Sequence, residues 1–332
     1  MSLNLISQGF WLPKAGSSEE DYEDAIAIGP NAVAIADGAT ESSFARAWAR
    51  ALTEGFACEP LSAQPDLTEL MDRVGPLQQQ WHAGVAWDRL PWYAEDKARN
   101  GAFAALLTLR FEEPLTATET DEPSAERLWH ALAIGDTCLF QIRDDALHLA
   151  FPLAESAAFD STPLLLSSNP ARNLQVWDQA QVLNGVFKPG DILLLMTDAL
   201  AKWFLSEIES GAKPWQTLCT FTDQSELAAL TVMLRAEHRL KNDDTSLICI
   251  QETSVVSQRK MRLASAPDPG FDAEEETRHP ADDSEPSRSQ DAPDTSPEFS
   301  REAWEEMASP EIAHEAMPLP DEHPRAQEAE AV

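Results

Sequence analysis

The 332-residue chain is 43% apolar and 24% charged, enough to bury a core, and its length fits two domains or one large domain with an extension. Its 57 acidic residues outnumber 24 Lys and Arg, for a net charge of −33, so it lacks the basic face that nucleic acid or an anionic bilayer would require. No apolar run reaches the roughly 18–20 residues of a membrane helix. The opening MSLNLISQGFWLPKAG has neither the basic start nor the apolar stretch of a secretory leader. Cys58, Cys138, Cys219 and Cys249 stand far apart without a CxxC pair, which excludes a disulfide frame and a thiolate zinc site. These features predict a cytoplasmic protein with free thiols and with no nucleic-acid or membrane partner.

In chain order, strands are expected at Ala25–Ile28 and Ala32–Ala36, joined by the turn Gly29-Pro30-Asn31. A helix is expected from Ser42 or Ser43 to Gly55: Phe44, Trp48, Leu52 and Phe56 recur every four residues, Ser42 can cap the start and Gly55 can end it. Helices at Asp66–Arg73 and Leu77–Leu90 follow, then strands at Ala102–Phe111, Arg127–Ile134, Cys138–Ile142 and Leu147–Phe151. Asp144-Asp145 and Pro189-Gly190 are turn signals, the second leading into a strand at Ile192–Thr197. A helix at Ser225–Leu240 and a strand at Ser246–Gln251 complete the body. Hairpins flanked by helices, without regular strand–helix alternation, predict a layered α+β domain over residues 1–252.

The remainder differs in composition. Residues 261–332 carry 20 acidic and five basic residues, 10 of the 23 prolines, and only six Leu, Ile, Val or Phe. So little apolar surface cannot offset ordering entropy, and a disordered, acidic, Pro-rich tail is expected over 253–332. Within it, Ser300 to Met307 around Trp304 has the makings of a transient helix, though a solvated tail is the plainer reading.

The first hairpin carries the chemical argument. If it pairs about Gly29-Pro30-Asn31, Ile28 faces Val33, Ile26 faces Ile35 and Asp24 faces Asp37. By strand alternation these six residues share one side, apolar until two carboxylates meet at its open end. Like charges directly opposed repel, and a divalent cation between them removes the repulsion. Taken alone, Asp37-Gly38 also reads as a turn dipeptide and Asp24 as a solvated strand end. The ending recurs, however. Gly190-Asp191 leads into a buried strand that finishes at Asp198, Asp243-Asp244 precede the last strand, and Asp136 follows Trp129–Ile134. Strand-terminal acids from distant parts of the chain, unaccompanied by a His or Cys cluster, suit a hard cation such as Mg²⁺ or Mn²⁺. His82, His130, His148 and His238 are scattered and read as surface or structural residues.

Glu23-Asp24-Ala25, Ala36-Asp37-Gly38, Gly101-Ala-Phe-Ala, Ile134-Gly135-Asp136-Thr137, Gly190-Asp191…Thr197-Asp198-Ala199-Leu200 and Asp243-Asp244-Thr245-Ser246 follow one another in a known order and rough spacing. Together they resemble the motifs of the PPM (type 2C) metal-dependent serine/threonine protein phosphatases in a bacterial-style short form, over about residues 5–252. The resemblance implies two stacked antiparallel sheets flanked by helices, an α-β-β-α sandwich. It also implies a binuclear Mn²⁺ or Mg²⁺ centre activating a bridging water, with a weaker third ion in some members. By the same resemblance Asp37 would bridge the two ions, Asp198 and Asp243 would bind the first, and the Gly38 carbonyl would bind the second. Glu23 would act through a metal-bound water, Asp24 would orient that water or a neighbour, and Asp136 would help hold the third ion. Strand parity instead puts Asp24 on the face of Asp37, and a regular strand lets only one of Glu23 and Asp24 point inward.

Several substrate-handling positions depart from the pattern. No arginine lies between Lys14 and Glu23, so Lys14 is the nearest candidate to hold the phosphate, or else an ordinary surface lysine. Ala39-Thr40-Glu41 replaces the usual Gly-Gly or His-Gly, Ala199 replaces a glycine and Ser246 a threonine. The function implied is hydrolysis of phosphoserine and phosphothreonine in a phosphoprotein substrate, opposite a cognate Ser/Thr kinase system. The alternative is a catalytically weak or inactive binding module that recruits partners through the acidic tail.

Overall fold

The register of the first hairpin sets the frame. Strands β2 (Ala25–Ile28) and β3 (Ala32–Gly38) pair antiparallel with Ile28 opposite Val33, Ile26 opposite Ile35 and Ala25 opposite Ala36, as the turn and the alternation predict. The computed structural model describes residues 4–112, 126–159 and 163–253, all within the first of the two units into which the chain divides, Met1–Asp268. The expected tail lies outside the described residues except for Thr253, and so does the segment around Trp304.

The remaining strands are β1 (Leu5–Leu12), β4 (Phe103–Phe111), β5 (Arg127–Ile134), β6 (Cys138–Arg143), β7 (Ala146–Phe151), β8 (Leu166–Ser167), β9 (Gln181–Phe187), β10 (Ile192–Met196) and β11 (Thr245–Glu252). They form two antiparallel sheets, one in the order β1-β11-β10-β6-β7 and the other β2-β3-β4-β5-β9, with the short β8 paired to β4. Val33, Ile35, Leu107, Leu109 and Trp129 of one sheet meet Leu139, Leu193, Leu195, Ile248 and Ile250 of the other in an apolar layer between them. The opposite strand faces pack on helices. Ala34, Ala36 and Leu106 lie under α1 (Ala45–Cys58) and α2 (Leu67–Gly84). Phe140, Leu194 and Leu247 lie under α4 (Asp198–Glu209), α5 (Trp215–Leu218) and α6 (Gln224–Ala236). A further helix, α3 (Trp92–Arg99), leads into β4. This is the expected helix–sheet–sheet–helix sandwich, and each fully buried Leu, Ile or Phe contributes about 1.5–3 kcal/mol.

Three local expectations need correcting. Ser42 does not cap α1; Phe44, in a left-handed conformation, occupies that position, and Ser42 Oγ instead donates to Ala39 O (2.8 Å) and accepts from Phe103 N (3.2 Å). Gly55 does not end α1, which runs on to Cys58, because the missing side chain there is used for contact: a Cβ would meet Leu77 Cδ2 at 2.8 Å. The two helices expected at Asp66–Arg73 and Leu77–Leu90 are one, α2, capped by Asp66 and continuous through Pro76 as far as Gly84. Burial of Leu70, Val74, Gln78 and Trp81 along one face outweighs the break that a proline imposes locally. Cys58, Cys138, Cys219 and Cys249 are free thiols, as expected. No described helix is long and apolar enough to cross a membrane.

Candidate metal centre

Five aspartates gather where both sheets end on the same side. Asp24 precedes β2 and Asp37 is the penultimate residue of β3, on the inward face that continues Val33 and Ile35. Gly135, at φ 93°, turns the chain out of β5 so that Asp136 enters the connection to β6. Asp198 opens α4 directly after β10, and Asp243 lies two residues before β11. Burial first, and then the charges of Asp24, Asp198, Asp136 and Asp243, push the Asp37 carboxyl well above the usual carboxylate range. The charges of all four other acids therefore bear on Asp37.

Asp24, and not Glu23, takes the inward position, with 2% of its surface exposed. Burial raises its pKa, the charges of Asp244 and Asp198 add to that, and hydrogen bonds from Ser246 and Thr197 oppose it. Ser246 Oγ donates to Asp24 Oδ2 at 2.6 Å, and the Tyr22 hydroxyl lies 2.6 Å from Ser246 Oγ. Since Ser246 has spent its one proton on Asp24, Tyr22 is the donor in that second bond. Tyr22 is itself buried and rests on the ring of Trp11 in β1.

Glu23 turns to the rim. Its backbone N–H donates to Asp244 Oδ2 (2.7 Å), while Asp244 Oδ1 accepts from Lys14 N (2.8 Å). One carboxylate thus pins both ends of the loop from Lys14 to Glu23. Gly38 lies against this loop so closely that a Cβ would stand 2.5 Å from Glu23 O. Lys14 Nζ reaches Thr40 Oγ1 (3.3 Å) and Glu23 Oε2 (3.6 Å), which puts its ammonium over the acidic end rather than out in solvent. Glu23 Oε2 is buried and accepts no hydrogen bond.

A second ammonium lies at the other rim. Lys241 Nζ is 2.6 Å from Asp243 Oδ2 and 3.4 Å from Asp198 Oδ2, although its side chain is 63% exposed. Burial works against its charge, but the two carboxylates outweigh that and hold its pKa above the ordinary lysine value. Arg235 clamps the same turn, donating to Asp243 O, Thr245 Oγ1 and Pro13 O.

The sequence-predicted residues Lys14, Glu23, Asp24, Asp37, Gly38, Asp136, Asp198 and Asp243 are therefore brought to one end of the sandwich. Among the described residues, no three His, Cys, Asp or Glu side chains are arranged to hold an ion as they stand. The donor set nonetheless fits a hard divalent cation: it is all oxygen, it is crowded with like charge around Asp37, and Glu23 Oε2 has no hydrogen bond to give up. Tyr22 and Lys241 were not singled out from sequence, and Asp244 was named only as a strand-leading acid, not as the clamp of the Lys14–Glu23 loop. The only local signal for Lys241 is a lysine two residues ahead of a strand-leading acid, whereas Tyr22 joins Ser246 across 224 positions and leaves no local signal.

No family model and no curated protein matches the chain. Among solved structures, it is similar to the Mycobacterium tuberculosis serine/threonine phosphatase PstP/Ppp, at 15% identity and a TM-score of 0.50 over 75% of this chain and 98% of that one. The catalytic domain of PstP in complex with two manganese ions is similar at 15% identity and a TM-score of 0.50, over 75% of this chain and 99% of that domain. The two sheets, their flanking helices and these likenesses give the chain the fold of the PPM-type serine/threonine phosphatases.

Proposed function

We propose that residues 1–252 form a Mn²⁺- or Mg²⁺-dependent phosphatase domain that hydrolyses phosphoserine and phosphothreonine in proteins, reversing a cytoplasmic Ser/Thr kinase, with residues 253–332 as a separate acidic extension. The observation that supports it best is the convergence of Asp24, Asp37, Asp136, Asp198 and Asp243 on one end of this fold. On this reading Glu23, Asp37, Gly38, Asp136, Asp198 and Asp243 hold two ions and a weaker third, and a relative of the same fold carries two manganese ions. Such ions, when bound, supply positive charge to the phosphate and make water a nucleophile at neutral pH.

The chain's own groups do the rest. Tyr22 and Ser246 fix the Asp24 carboxyl through a buried relay of hydroxyls, so that it can orient a proton of the attacking water. Asp244 holds the Lys14–Glu23 loop by two backbone N–H groups and thereby fixes where Lys14 begins. The Lys14 ammonium then faces the outer phosphate oxygens as a point charge. No cysteine is required as a nucleophile: Cys138, Cys219 and Cys249 are buried in the body, and the exposed Cys58 ends α1 beside Gly29, at the turn of the first hairpin and away from Asp24 and Asp37.

The test is hydrolysis of p-nitrophenyl phosphate and of a phosphothreonine peptide by the full chain with Mn²⁺ and with EDTA. The expected result is turnover of both that EDTA abolishes. Turnover of neither would favour the second reading, a binding module that keeps the fold; the two ammonium groups already standing among the acids speak for that reading.

A further inference from the structure

Lys241 is not a bystander of the acidic end. The turn that carries it is tight, with Asp243 N donating to Lys241 O at 3.0 Å, and it brings the lysine back beside the aspartate two residues later. Its ammonium bridges Asp243, from the lead into β11, and Asp198, from the start of α4, two acids far apart in sequence. Arg235 anchors the same turn through Asp243 O, so the backbone under the lysine is fixed while the side chain itself remains largely exposed. A fixed base with a free arm can swing its charge in or out.

We propose that Lys241 is a tethered counter-cation that competes with the divalent ion for Asp198 and Asp243, so that this half of the centre loads only at a raised metal concentration. The inference rests on the metal-centre reading above and adds a regulation to it. Where Asp198 and Asp243 would otherwise repel, the ammonium holds them together and keeps α4 and β11 joined at this end. A divalent cation offers more charge at shorter range, but it must first displace a partner that is always present. Each partly exposed ion pair is worth roughly a factor of 1.7 to 5.5, so two of them should weaken metal binding about three- to thirtyfold.

The experiment is calorimetric titration of the purified full chain with MnCl₂, for the wild type, Lys241→Gln and Lys241→Arg, together with thermal melting in EDTA. The Lys241 side chain is largely exposed, so Lys241→Gln should fold, and the EDTA melt checks it. Lys241→Gln should bind Mn²⁺ three- to thirtyfold more tightly and melt lower in EDTA, while Lys241→Arg, which keeps the charge, should bind no more tightly than wild type. Equal affinity in wild type and Lys241→Gln would overturn the competition and leave the metal centre standing. Binding by Lys241→Gln alone would support the competition in its strongest form while removing the metal-dependent reading of the native chain. No binding by any of the three would sink both.

Discussion

One strand, β10, carries an aspartate at each end, and the two meet opposite fates. Asp191, just before the strand, is 2% exposed, yet it is matched group for group. Arg143 Nε and Nη2 grip its two oxygens at 2.9 and 2.6 Å, Gln141 Nε2 donates at 2.7 Å and Lys188 N at 2.8 Å. Burial pushes its pKa up, but Arg143 and the other donors outweigh that and leave it below the usual value. Asp198, just after the strand, bears on Asp24 and Asp37 and, among the described residues, has only an exposed lysine for a cation. The strand between them is equally apolar throughout, so nothing in its packing explains the difference. What differs is who supplies the compensating charge. At the Asp191 end the fold supplies it, and the carboxylate holds β6 to β10. At the Asp198 end the fold leaves negative charge in excess, a costly arrangement that reads as preparation for something brought from outside.

The sharpest way to break this contrast is Asp37→Asn. If the excess charge serves a metal, the variant should lose on the order of 10³-fold or more in metal-dependent turnover, about 4 kcal/mol of barrier. It should also gain stability in EDTA. Asp37 has its pKa raised in the folded protein, so the stability it contributes is complete below its unfolded value near 4 and is lost as pH rises through the raised value. Asparagine removes that loss, and the variant's melting temperature at pH 8 should exceed the wild type's by a few degrees. Wild-type turnover, or a melting curve with the wild type's pH dependence, would show that Asp37 is not the centre of the cluster.

The second test strikes the compensated end. Arg143→Ala would strand a buried carboxylate, at a cost of about 3 kcal/mol, roughly 6–12 °C in melting temperature for a domain of this size. The pH dependence runs the other way here. Asp191's pKa is lowered, so its contribution is present above the ordinary carboxylate range and is lost as pH falls through the lowered value. Metal-dependent activity per folded molecule should stay the same. A loss under about 1 kcal/mol in a urea titration would mean that the donors from Gln141 and Lys188 suffice without the guanidinium.

How far the contrast could be read in advance varied with the range of the contacts. The register of hairpin β2–β3 was legible because its turn is short and its alternation strict, although β3 runs two residues past the expected Ala36 to Gly38. The strand β1 was not, since Ser7, Gln8 and Gly9 break up its apolar pattern and it is specified by pairing with β11, more than 230 positions away. Strand β9 was missed for a similar reason: it is a half-exposed edge, and Asn184 and Gly185 in its middle read as a loop. At the site, the strand-ending aspartates could be found one by one. The choice between Glu23 and Asp24 followed from parity, which the burial of Asp24 bears out. The ligands' supports could not be found, because Tyr22 with Ser246 and Lys14 with Asp244 are joined only by the tertiary fold.

The smallest effect belongs to Lys14, and it decides whether the acidic end handles phosphate or only metal. A phosphate carries its own negative charge into a region already crowded with carboxylates, so some cation of the chain has to meet its outer oxygens. Of the two ammonium groups at this end, Lys241 is engaged by Asp198 and Asp243, whereas Lys14 makes one long contact to Glu23 and one to the neutral Thr40. Its backbone is fixed by Asp244 and its side chain is only 24% exposed, so it lies over the site without being locked to it. An ammonium gives a point contact where a guanidinium would give two parallel donors. Lys14→Ala should therefore lose roughly 10–100-fold in kcat/KM on a phosphopeptide, about 1.4–2.7 kcal/mol, and Lys14→Arg should retain or improve the wild-type value. Mn²⁺ affinity in the alanine variant should not weaken, because the lysine ligates nothing and its removal takes a competing charge from Glu23. Wild-type kinetics in Lys14→Ala would reduce it to a surface charge and leave the phosphate to another donor at the rim, of which Arg46, bonded through Nη1 to Glu20 O at 2.9 Å, is the next to test.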